Sequence, residues 1–258
     1  MANALGSSLE GSRLNAEVKT ARAADERAKI RGFQRRLLRW FARHGRDLPW
    51  RRTRDPYAIL VSEVMLQQTQ VERVKDFYDR FLRQYPTVDA LASARPAEVR
   101  EAWDGLGYYA RARNLHAAAR RIVRDLEGEF PAEADAVAAL PGVGRYTAGA
   151  VLSFAFDREA PVLDTNVRRV LTRVFVRRRS PRPAQMDRRL WALAAAVIPS
   201  GKAWAFNQAL MDFGATVCIA RAPRCPTCIL RDLCAAYARL TKERDSPQST
   251  QSAQRGVP

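Results

Sequence analysis

Histidine is nearly absent from this chain: its 258 residues hold two, His44 and His116. So few argue against a histidine-based metal site. Long apolar runs are missing as well. No stretch approaches the ~18 consecutive apolar residues that a membrane span needs. Met1 to Ala24 contains no apolar run of signal-peptide length. The expected location is therefore the cytoplasm, with no membrane partner. Alternating apolar and polar runs are lacking, which argues against strands. No repeat of fixed period occurs, which argues against solenoids and propellers. Acid is in short supply, with 27 Asp and Glu against 44 Lys and Arg and a net charge of +17. An excess of this sign suits a polyanionic partner, since nucleic-acid binding gains free energy by releasing counterions. The bland alternative is Arg coating solvated helix faces. Cysteine is scarce, and all four copies fall between 218 and 234.

What is present is helical in pattern. Hydrophobic residues make up 47% of the chain, ample for a core. Asp55-Pro56 reads as a helix start, a capping residue followed by proline in the first turn. Ile59, Leu60, Val64 and Leu66 follow. Val71, Val74, Phe77, Tyr78, Phe81 and Leu82 recur at spacings of three and four. Thr87 and Pro96 open further short helices. Longer ones are expected over 114–126, 132–140, 146–156, 166–176, 184–198 and 203–217. An all-α fold fits best. Residues 1–27 read as a disordered leader, and 241–258, rich in Ser, Gln and Pro, as a disordered tail.

Four features carry chemistry. Leu140-Pro141-Gly142-Val143-Gly144 joins two helical segments, and two glycines one residue apart leave backbone N–H groups uncovered. Amides at a helix start bind phosphate and position a protein on DNA without reading its sequence. The plain alternative is a tight turn. Asp164 follows Gly144 by twenty residues and begins a helix. Alone it is a cap; beside a sugar held by its phosphates, it could stabilise the positive charge that builds when an N-glycosidic bond breaks. Glu63 lies among Val61, Val64 and Met65. A carboxyl group in apolar surroundings holds its proton near neutral pH, as a general acid must; the plain alternative is a partly exposed Glu with a local ion partner. Cys218, Cys225, Cys228 and Cys234 form C-x6-C-x2-C-x5-C, a metal-site pattern. Spacing alone leaves zinc and an iron–sulfur cluster both open.

These elements stand in one order, with Leu66-Gln67-Gln68-Thr69-Gln70 after Glu63 and Gly105-Leu106-Gly107-Tyr108-Tyr109 before the hairpin. The arrangement resembles the adenine DNA glycosylases of the MutY family, within the helix-hairpin-helix superfamily shared with endonuclease III. The resemblance runs from about Phe33 to Leu240. It implies two helical lobes with DNA in the cleft between them. A six-helix lobe with the hairpin would span 54–163, and an iron–sulfur lobe would combine 28–53 with 164–240.

The resemblance also implies roles. The cysteines would hold a [4Fe–4S] cluster shaping the loop with Arg221 and Arg224, suited to phosphate contacts. Glu63 would protonate adenine and later help deliver water. Asp164 would stabilise the sugar cation, with Asn166 beside it and Tyr146 hydrogen-bonding within the site. Gln68 and Tyr108 would wedge into the duplex, with Gln67 among the DNA contacts. Gly142 and Gly144 would seat phosphates. Leu48, Trp50, Arg51 and Gln208 would line the pocket for the flipped adenine. Bifunctional relatives carry a Lys where this chain has Tyr146, so base removal without efficient strand cleavage is implied. The implied protein is a nucleoid-associated monomer, a hydrolase of base excision repair acting on double-stranded DNA. Its substrate would be adenine opposite 8-oxoguanine or guanine.

Two departures stand out. Family members usually continue into a C-terminal domain that reads 8-oxoguanine, whereas this chain stops after a short polar tail. Thr165 stands where many members have Gly. The rivals are a mismatch thymine or uracil glycosylase of the same superfamily, which the Gln-Gln-Thr-Gln block and Arg51 oppose, and a non-catalytic DNA-binding module, which the Glu63 and Asp164 pair opposes.

Overall fold

The computed structural model describes residues 4–177 and 182–244, and every element among them is helical. Helix α1 (Ala4–His44) leads through a 3-10 turn (Pro49–Arg51) into α2 (Pro56–Leu66), α3 (Val71–Gln84), α4 (Val88–Ser93) and α5 (Pro96–Ala102). Then come α6 (Ala110–Asp125), α7 (Ala134–Ala138), α8 (Arg145–Phe156) and α9 (Thr165–Phe175). The chain closes with α10 (Pro183–Ala196), α11 (Ala203–Thr216), a second 3-10 turn (Arg231–Leu233) and α12 (Ala235–Arg244).

Local chemistry sets many of these boundaries. The Asp55 carboxylate accepts from the Tyr57 and Ala58 amides at 3.0 and 3.3 Å and starts α2. Thr87 caps α4 through the Ala90 amide at 3.1 Å. Pro96 sits in the first turn of α5, where its missing N–H costs nothing. Helix α3 shows one apolar face, burying Val74, Tyr78 and Phe81. Helix α2 is different: from Tyr57 to Met65 every side chain is buried, so it runs through the interior of its lobe.

The buried apolar residues fall into two clusters. The first runs from Leu48 and Trp50 through α2 to α8 and ends at Val162. The second joins Phe33 and Leu37 of α1 to Leu163, α9, α10, α11 and Leu230. The chain therefore leaves the second cluster once, through the first 3-10 turn, and returns to it between Val162 and Leu163. Asp164 stands one residue past that return.

Several expectations are corrected. Residues 4–27, read as leader, are helical as the start of α1. The tail expected from 241 begins as the last turns of α12, which ends at Arg244; 245–258 lie outside the described residues. The first arm of the hairpin is the short helix α7. That arm covers 134–138 rather than 132–140. Helix α6 starts at Ala110, four residues earlier than its apolar spacing indicated.

Candidate active site

Glu63 is carried on the buried helix α2 and is 3% exposed. Its Oε2 finds no hydrogen-bond partner. Burial and the nearby Asp164 charge push its carboxyl up to about 7, against the weaker pull of the Tyr146 hydroxyl and Arg51. An acid in that range exchanges its proton near neutral pH. Tyr146, in the first turn of α8, is placed against Glu63, and burial with the two nearby carboxylates keeps its phenol protonated.

Asp164 caps α9 and accepts from the Val167 amide at 2.6 Å. Asn166 Nδ2 donates to its other oxygen at 2.9 Å. Burial raises the Asp164 carboxyl above its ordinary range, and these hydrogen bonds hold the rise down. Capping and facing the site are thus compatible. Asn166 is itself held by Arg169, whose Nη2 donates to Asn166 Oδ1 at 2.7 Å and to the Gly214 carbonyl at 2.6 Å. Helices α9 and α11 touch here. A Cβ on Gly214 would lie 2.7 Å from that of Asn166, so only glycine permits this approach.

The hairpin joins α7 to α8. Gly142 has φ +75°, and a Cβ there would meet Asn114 Cβ of α6 at 2.6 Å, so both its angle and its space require glycine. Gly144 caps α8 and faces open space, leaving the first amides of α8 uncovered. The Val143 side chain between them is buried and anchors the turn.

Gln68 and Tyr108 are exposed side chains on two loops, and both have positive φ, +56° and +49°. Neither is glycine, so both backbones are strained. Gln67 turns inward, with Nε2 at 3.5 Å from Thr147 Oγ1 on α8. Leu48 and Trp50 are buried in the first core, Trp50 edge-on to Tyr78 with ring centres 5.5 Å apart. Gln208 is buried on α11, one turn before Asp212. Arg51 donates from both Nη atoms to the Asp212 carboxylate at 2.8 Å and from Nη1 to the Arg46 carbonyl at 2.9 Å. Arg46 completes the group through its amide and Nε at 2.9 and 2.7 Å from Asp212. The arginine expected in the pocket wall is therefore anchored by an acid that the sequence reading missed. A signal existed: Asp212 is the one charged residue in helix α11.

Residues 61–196 match the family model described as HhH-GPD superfamily base excision DNA repair protein. The chain belongs to the HhH-GPD superfamily. That span runs from the middle of α2 through the hairpin and Asp164 to the end of α10. The chain is 45% identical over 226 residues to an adenine DNA glycosylase of Rattus norvegicus, covering 84% of this chain and 44% of that one. It spans about half the length of the curated mammalian relatives it matches. A solved thermostable thymine-DNA glycosylase superposes with a TM-score of 0.76 at 34% identity, covering 83% of this chain and 99% of that one. Endonuclease III in a non-covalent complex with DNA superposes at 0.71 with 26% identity, covering 83% and 98%.

In this HhH-GPD chain the four cysteines are unpaired and half-buried, and all four line one cavity of about 150 Å³ after α11. Phe213, Val217, Leu230 and Tyr237 supply apolar walls. Among the described residues no three potential ligands gather around a point as they would for one ion. Four thiols lining one cavity are a donor set that suits an iron–sulfur group, and such a set also serves zinc. Arg173 reinforces the loop, donating to the Ile219 carbonyl at 2.7 Å, to the Ala220 carbonyl at 3.0 Å and to Cys218 Sγ at 3.4 Å. Arg221 and Arg224 are exposed on it. No helix among the described residues is long and apolar enough to cross a membrane.

Proposed function

We propose that this chain is a monofunctional adenine DNA glycosylase of base excision repair, hydrolysing the N-glycosidic bond of adenine opposite 8-oxoguanine or guanine in double-stranded DNA. The observation that carries the reading is the buried Glu63 carboxyl, raised to about 7, sharing one site with Tyr146 and the capped Asp164. The greater sequence similarity to an adenine glycosylase than to the thymine one supports adenine as the base.

The chemistry follows from charge. Glu63 gives its proton to a ring nitrogen of the extruded adenine. The electron pair of the glycosidic bond leaves with the base, and the sugar becomes an oxocarbenium-like cation. Asp164, held as a carboxylate by Val167 N and Asn166, stabilises that cation. Water then attacks C1′ and returns a proton to Glu63, so adenine and an abasic sugar are the products. Tyr146 offers no amine for a Schiff base, which keeps the reaction hydrolytic. Leu48, Trp50, Arg51 and Gln208 would wall the base pocket. Gln68 and Tyr108 would fill the space left in the duplex, with Gln67 among the DNA contacts, repaying part of the few kcal/mol that extrusion costs. Gly142 and Gly144 with the α8 amides, and Arg221 with Arg224, would hold phosphates. Cys218, Cys225, Cys228 and Cys234 would hold a [4Fe–4S] cluster, which supplies a rigid support for that basic loop. The two lobes would meet the duplex as a monomer associated with the nucleoid.

The thymine-DNA glycosylase superposition favours a second reading, removal of mismatched thymine or uracil. One experiment separates them. Excess protein is incubated with labelled duplexes carrying adenine opposite 8-oxoguanine or guanine, and thymine or uracil opposite guanine, followed by alkali. Alkali-dependent breaks at adenine alone, lost in Glu63→Gln, are the expected result. Breaks at thymine or uracil alone would overturn the adenine assignment.

A further inference from the structure

We infer that Arg111 is a positioning residue that locks the loops over 66–70 and 105–109 into one preformed wedge, tied to the end of the helix that carries Glu63. The inference rests on the reading of these loops as the duplex wedge. Arg111 lies in the first turn of α6 and is 8% exposed. Its Nη1 donates to the carbonyls of Val64, Met65 and Gln67 at 3.0, 2.7 and 2.6 Å. Its Nη2 donates to the carbonyls of Leu106 and Gly107 at 3.2 and 3.1 Å. The first three oxygens belong to the C-terminal end of α2, where the helix dipole is negative; the Val64 carbonyl also accepts from the Gln67 amide at 3.4 Å. The other two belong to the glycine turn before Tyr108. One guanidinium thus bridges two segments some forty residues apart in the chain.

No carboxylate pairs with this buried cation among its hydrogen bonds; carbonyl oxygens and two rings solvate it. Trp103 and Tyr108 each place a ring centre 5.5 Å from it. Burial lowers its affinity for its proton, so the charge is held at a cost. That cost secures geometry. Gln68 and Tyr108 both have left-handed backbones, which persist only where surroundings over-determine them. Arg111 bonds the backbone just before each: Gln67 O precedes Gln68, and Gly107 O precedes Tyr108. Both side chains stay exposed, Tyr108 at 62%. The clamp orders the loops before DNA arrives, so less ordering entropy is lost on binding. Lys carries the same charge but lacks the planar fork that spans both loops.

The test uses the full chain. In the wild type, amide hydrogen exchange should show 66–70 and 105–109 opening as one unit with one denaturant dependence; independent opening would overturn the clamp without any mutation. In Arg111→Lys both loops should exchange about tenfold faster, the worth of one charge-assisted hydrogen bond, with α8 and α9 unchanged. Unchanged loops would overturn it. Base extrusion is then read by 2-aminopurine fluorescence in a duplex, in a Glu63→Gln background that removes chemistry. Arg111→Lys should lower the signal, and lower it no further once Gln68 and Tyr108 are both replaced by Ala. Full additivity would mean that Arg111 acts elsewhere. Loosened loops and lost extrusion in a protein that releases no adenine would leave the clamp standing and remove only the adenine activity.

Discussion

Glu63 and Asp212 are two buried carboxylates, 3% and 0% exposed, that titrate in opposite directions. Burial raises both. At Asp212 the Arg51 hydrogen bonds and charge, with those of Arg46, outweigh burial and hold the carboxyl below its ordinary range. At Glu63 burial dominates and one oxygen has no partner; the Tyr146 hydrogen bond and the Arg51 charge pull the other way, the Asp164 charge adds to the rise, and the carboxyl stays raised. Depth therefore does not decide what a buried acid does; its partners do. A satisfied acid is a rivet between lobes, here joining α11 to the turn before α2. An unsatisfied one is poised to exchange a proton with something not yet there.

The comparison can be broken at several points. The largest effect is expected from Glu63→Gln, which should slow single-turnover adenine release by about 10²–10⁴-fold while duplex affinity changes little. Retained release would place the acid elsewhere. Asp212→Asn should instead cost about 3–5 kcal/mol, because two guanidiniums lose their counter-charge. Thermal melting near pH 7 reads this as a drop on the order of ten degrees.

Glu63→Gln should move stability the other way. Between pH 4.5 and about 7 the unfolded chain gives up this proton while the folded chain keeps it, so wild-type stability falls as pH rises and then levels off. Removing the carboxyl should recover about 3 kcal/mol at pH 8 and almost nothing at pH 4. A melting curve with equal shifts at both pH values would contradict the raised value.

The same titration bounds the rate. Release should fall as pH rises through about 7, where Glu63 loses its proton, and fall again on the acid side as Asp164 gains one. The smallest effect is expected from Tyr146→Phe. Its hydroxyl lowers the Glu63 value, so its loss should move the alkaline limb to higher pH. A limb that moves down would show that Tyr146 acts by another route.

The all-helical class of the fold was legible in the amino-acid sequence, and so were the candidate acids Glu63 and Asp164. Helical spacing, the Asp55-Pro56 and Thr87 caps and the absence of alternating runs are local signals, and local hydrogen bonds decide them. The Gly142 and Gly144 pair, Asp164 twenty residues on, and the clustered cysteines were legible for the same reason: each lies within one turn or one short loop. Other features were legible nowhere in the chain. The helical course of 4–27 has no apolar stripe to announce it. That Glu63 and Asp164 share one site depends on the return of the chain between its two cores, near Val162. Arg111 looks like an ordinary charge on an ordinary helix, and Asp212 stood out only as the one acid of α11, because a buried ion is defined by what surrounds it. Their partners come from 44 to 47 residues away for the α2 carbonyls and 161 to 166 for the arginines, separations that only tertiary packing closes.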